Sequence, residues 1–119
     1  MKKILFLLVI SYITMQAVPY NVIISVYDGA QTWQRVVALN NRVKAFVEFD
    51  QVLGYGFRGD VLSVDNENIT LQLKLFVHKT NKPAVMFFCM KNKIYWNNNP
   101  IQAHSGNRHI KIDAQKCIL

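Results

Sequence analysis

The amino-acid sequence predicts an all-β chain, a single small antiparallel β-sandwich or barrel with room for one short helix. Three observations carry this reading. Apolar residues recur at every second position in several separate runs, the period of a strand with one buried face. Breaks rich in Gly, Asn and Pro fall between those runs at short intervals. Branched and aromatic side chains dominate the runs themselves, and such side chains fit a pleated surface better than a helix.

The chain of 119 residues opens on Met1-Lys2-Lys3, followed by an apolar stretch from Ile4 to Ile13. A short basic start before a hydrophobic segment too short to span a bilayer comfortably is the pattern of a signal peptide. Residues 1–17 are read as that leader, with Ala17 the small residue before the cut and Val18 the first of the exported chain. The competing reading is a retained membrane anchor through residues 4–27, which carry no charge. Ser11, Thr14, Gln16, Pro19 and Asn21 interrupt that stretch and favour cleavage. Residues 18–119 then form one β domain, long enough to bury a core of its own.

Within that domain, Val22, Ile24 and Val26 alternate with Ile23, Ser25 and Tyr27, and Asp28-Gly29 closes this first strand. Residues 33–39 follow and end at Asn40-Asn41. Val43, Ala45, Val47 and Phe49 then alternate with Lys44, Phe46, Glu48 and Asp50. Only residues 31–39 and 44–53 admit a helical reading, and their branched and aromatic content weighs against it. A short run over residues 61–64 turns at residues 65–68 into the longest strand, residues 69–78. Residues 84–90 are apolar at every position, as expected of a central strand covered on both faces. Breaks at residues 97–100 and 105–107 precede a final alternating strand over residues 108–113.

An apolar share of 51% and a charged share of 18% exclude a disordered chain. The charge is uneven: residues 18–73 sum to −2 and residues 74–119 to +7. Such a half can mark a surface for an anionic polymer or a membrane, although lysines also protect exposed strand edges. Cys89 and Cys117 are the only cysteines. In an oxidising compartment they are expected to pair, and their spacing fits no zinc pattern.

Motifs for chemistry are weak. His104 and His109 flank a glycine turn, but with His78 they bring no Cys or carboxylate at ligand spacing, so no metal is expected. Ser105 beside His104 lacks the elbow and oxyanion hole of a hydrolase. Glu48 and Asp50 share one strand face like a glycosidase pair, an arrangement commoner on solvent-facing strands. Gly54-x-Gly56-x-x-Gly59 matches a nucleotide fingerprint without the helix that motif needs, so a strand connection or bulge explains it better and no cofactor is expected. Arg58-Gly59-Asp60 is an integrin-type tripeptide with nothing beside it in support. Asn68-Ile69-Thr70 is a glycosylation sequon.

The candidate binding site is Lys91, Lys93, Tyr95, Trp96, Asn97, Asn98 and Asn99, where large aromatics, amides and cations follow an apolar strand. Such groups are typical of recognition surfaces. The competing role for Trp96 is to close one end of the core. These features point to a non-catalytic binding or assembly module, secreted or periplasmic, whose partner is another exported or envelope protein. The alternative is a polyanion binder using the basic half, and the third reading is a small hydrolase.

Overall fold

A computed structural model describes residues 18–79 and 81–116. Its elements are all strands: β1 (Pro19–Asp28), β2 (Gln31–Asn40), β3 (Ala45–Asp50), β4 (Tyr55–Val64), β5 (Asn68–Val77), β6 (Val85–Tyr95), β7 (Ile101–Ser105) and β8 (Arg108–Lys116). They form two four-stranded sheets, in the orders β2-β1-β8-β7 and β3-β4-β5-β6. Every pairing is antiparallel. The predicted all-β sandwich is therefore the fold, and no helix occurs among the described residues.

Two-residue turns join β1 to β2 and β7 to β8, with Gly29 and Gly106 first in each at φ of 60°. A positive φ at that position matches the right-handed twist of the flanking strands and suits glycine. Period-two burial then fills the space between the sheets. Tyr20, Val22, Ile24 and Val26 of β1 and Ile110, Ile112 and Ala114 of β8 come from the first sheet. Ile69, Leu71, Leu73 and Leu75 of β5 oppose them from the second. Full burial of each such aliphatic side chain contributes roughly 1.5–3 kcal/mol.

Three expectations need correction. Residues 84–90 are not a central strand: they begin β6, which lies at the edge of the second sheet. Val85, Met86 and Cys89 are exposed. The continuous apolar run arises from a bulge. Leu75 pairs with Phe88 but Phe76 pairs with Met86, leaving Phe87 as the extra residue. Both Phe87 and Phe88 pack against the core from successive positions, which regular alternation would forbid.

The glycine-rich segment is strand rather than connection, since β4 starts at Tyr55. Its irregularity falls between Val61 and Ser63, beyond the glycines. Gly56 lies opposite Phe49 and Gly59 opposite Phe46, and a Cβ at either would enter the ring above it. The third difference is β7, which pairs with β8 and whose weak alternation gave no sequence signal.

Candidate functional site

Register places the outward side chains of the second sheet in rows across its four strands. One row is Phe49, Gly56, Phe76 and Met86; the next is Val47, Arg58, Lys74 and Cys89. Ala45, Asp60, Gln72 and Lys91 follow, and Thr70 with Lys93 lie beyond. The face is thus apolar at one end and cationic at the other. Val47 is 71% exposed, Phe49 41% and Met86 47%. A shallow 290 Å³ hollow lined by Val47, Phe49, Phe76 and Ala84 marks the apolar end.

Arg58, Lys74, Lys91 and Lys93 supply the charge. Asp60 lies among them, with an Oδ2 3.6 Å from the Arg58 Nε. Arg58 and Lys74 sit directly opposite each other, and like charges so placed destabilise a sheet unless an anion screens them. The Arg58-Gly59-Asp60 tripeptide lies within this paired strand rather than at a loop tip.

Of the candidate binding residues, Lys91, Lys93 and Tyr95 belong to β6 itself and are exposed. Trp96 turns inward. Its ring lies 5.1 Å from that of Tyr20, its Nε1 donates to the Asp65 carbonyl at 2.9 Å, and the Lys116 ammonium sits 5.8 Å above it. Trp96 therefore closes one end of the core. Asn97, at φ of 51°, donates its N–H to the Ala114 carbonyl at 3.0 Å, and Asn98 Oδ1 accepts the Asn99 N–H at 2.8 Å. These asparagines shape the β6–β7 loop. Val47, Phe49, Arg58 and Lys74 carried no signal as site residues, because only strand register brings them beside Lys91.

The remaining motifs take other parts. Glu48 and Asp50 turn toward the first sheet and both bind Arg35 of β2. Asp50 also accepts from Trp33 Nε1 at 3.3 Å. The Leu53 N–H, aided by the Val52 N–H, Trp33 and Arg35, holds its carboxyl below the usual carboxylate range despite partial desolvation. Nearby, the Tyr55 hydroxyl donates to Asp28 Oδ2 at 2.8 Å, and Arg108 Nε approaches the same carboxylate at 3.3 Å. Burial pushes the Tyr55 hydroxyl above its ordinary range.

His104 and His109 stack with centroids 4.6 Å apart, and His109 Nε2 meets Gln102 Oε1 at 3.0 Å. His78 instead packs edge-on to Phe49, beside an open 720 Å³ recess under Val52 and Leu53. No cluster of three or more metal-ligating side chains occurs among the described residues. Asn68 of the sequon is only 7% exposed, so a glycan could reach it only before the fold closes. Cys89 is an exposed thiol, and Cys117, like the leader at residues 1–17, lies outside the described residues. No helix among the described residues is long and apolar enough to cross a membrane.

No family model matches the chain, and neither do curated proteins or solved structures.

Proposed function

We propose that the chain is an exported, non-catalytic binding or assembly module whose interface is the outer face of the second sheet. The observation that carries this reading is the arrangement of that face, with exposed Val47, Phe49 and Met86 beside Arg58, Lys74, Lys91 and Lys93. An apolar patch rimmed by charge is the usual form of a protein interaction site. The partner is another secreted, periplasmic or envelope protein with an acidic, partly apolar surface. Hydrolysis is less well supported, because Arg35 holds both Glu48 and Asp50.

The polyanion reading keeps one observation of its own, the cross-strand placement of Arg58 opposite Lys74. Steep loss of heparin or nucleic-acid binding between low and moderate salt would favour it.

Capture from the organism's exported fraction tests the proposal when run on matched variants. Val47→Asp with Lys74→Glu should release the captured partner, while Lys111→Glu on the opposite sheet should keep it. Equal capture by both variants would exclude this face.

A further inference from the structure

β6 forms one edge of the second sheet over eleven residues. Among the described residues, no turn or loop backbone group bonds to it; the Ser105 hydroxyl of β7 donates to it at the Phe87 carbonyl, N-terminal to the Cys89–Tyr95 stretch. In an antiparallel sheet the N–H and C=O of one residue point to the same neighbouring strand, and successive residues alternate sides. The Trp96 N–H donates to the Glu67 carbonyl at 3.1 Å, which turns residue 96 toward the β5 side. Counting back, Ile94, Asn92 and Met90 turn the same way, opposite Ile69, Leu71 and Leu73. Tyr95, Lys93, Lys91 and Cys89 therefore aim their backbone groups at the open edge. The same four residues carry their side chains on the outer face.

An incoming strand bonded at Lys91 and Lys93 sets alternate side chains beside the two ammonium groups, with Cα atoms about 5.5 Å apart. Carboxylates there would form opposite-charge cross-strand pairs. We infer that the β6 edge captures an extended segment of the partner by strand addition, one with acidic residues at every second position facing Lys91 and Lys93. The inference rests on the binding-module reading above and names the chemistry of its partner. A second copy of this chain is the poorer occupant. Antiparallel pairing of two β6 edges would gather Lys74, Lys91 and Lys93 of both copies on one face.

Fluorescence anisotropy on the purified exported protein tests this, using a labelled peptide that alternates Glu with Val or Thr. Two further peptides carry N-methyl groups, either on the Glu residues, whose N–H groups would face β6, or on the intervening residues. Strand addition predicts that methylation at Glu weakens binding by about tenfold or more, the equivalent of one lost hydrogen bond. Methylation at the other positions should leave affinity within about twofold, since those N–H groups face away. Lys91→Gln with Lys93→Gln should weaken the parent peptide by about tenfold with the thermal melt unchanged.

Equal effects of the two methylation patterns would overturn strand addition while leaving the basic face as an interface. Failure of the parent peptide to bind, or dimerisation of the protein through β6 without peptide, would also overturn it.

Discussion

Phe46 and Phe49 of β3 cross the sheet to lie over Gly59 and Gly56 of β4. Gly59→Ala would force the Phe46 ring to move and should cost about 1–3 kcal/mol. Phe46→Leu in the same chain should recover part of that loss, and urea unfolding of the single and double variants checks it. Trp96→Ala should destabilise by about 2–4 kcal/mol, since it removes the Tyr20 contact and the bond to Asp65. Tyr95→Ala, next to it but exposed, should stay within about 0.5 kcal/mol. A Trp96 variant melting like the parent would return that residue to the surface. Asp50 contributes to the acid response, as does Asp65, whose carboxyl the Asn68 and Glu67 N–H groups hold below its ordinary value. The Asp50 carboxyl is held below the ordinary value first by the Leu53 N–H, so its contribution is present above the unfolded pKa. That contribution is lost as pH falls through the lowered folded value. Asp50→Asn should accordingly lose less stability than the parent on acidification, read by thermal melts from neutral pH down to about 2.

Alternation and turn residues made most strands legible, because a face buried against another sheet leaves a period of two. That held for β1 and β5, whereas in β3 the period was right and the face reversed: Val47 and Phe49 lie outward, and Phe46, Glu48 and Asp50 turn toward the first sheet. It failed at β6, where the Phe87 bulge puts two consecutive aromatics on the core side and imitates a strand buried on both faces. It also failed at β7, whose Ala103 and Ser105 offer little apolar contrast. Lys91, Lys93 and Tyr95 could be nominated as neighbours along one strand, whereas Val47, Arg58 and Lys74 reach them only across hydrogen-bonded rows. The cysteines offer less to read: Cys89 is exposed opposite Lys74, and Cys117 lies outside the described residues. In an oxidising compartment the two are expected to pair; thiol titration of the denatured, non-reduced protein should then find neither free, and two free thiols would exclude the bond.

The two sheets differ in how they are wired. β3 to β6 follow one another as consecutive hairpins, so each pairing in the second sheet is made between neighbours in sequence. The first sheet consists of two hairpins, β1–β2 and β7–β8, joined only where β1 meets β8, as in the pairing of Tyr20 with Lys116. Closing that pair gathers nearly the whole chain into a loop, and such long-range contacts form slowly because their entropy cost comes before their reward. Pulse-labelled hydrogen exchange during refolding should protect Leu71 and Leu73 before Ile24 and Ile112. Simultaneous protection would show that the sheets form together. For a chain that emerges N-terminus first, as the proposed export would require, the centre of the first sheet would stay open until β8 arrives to pair with β1.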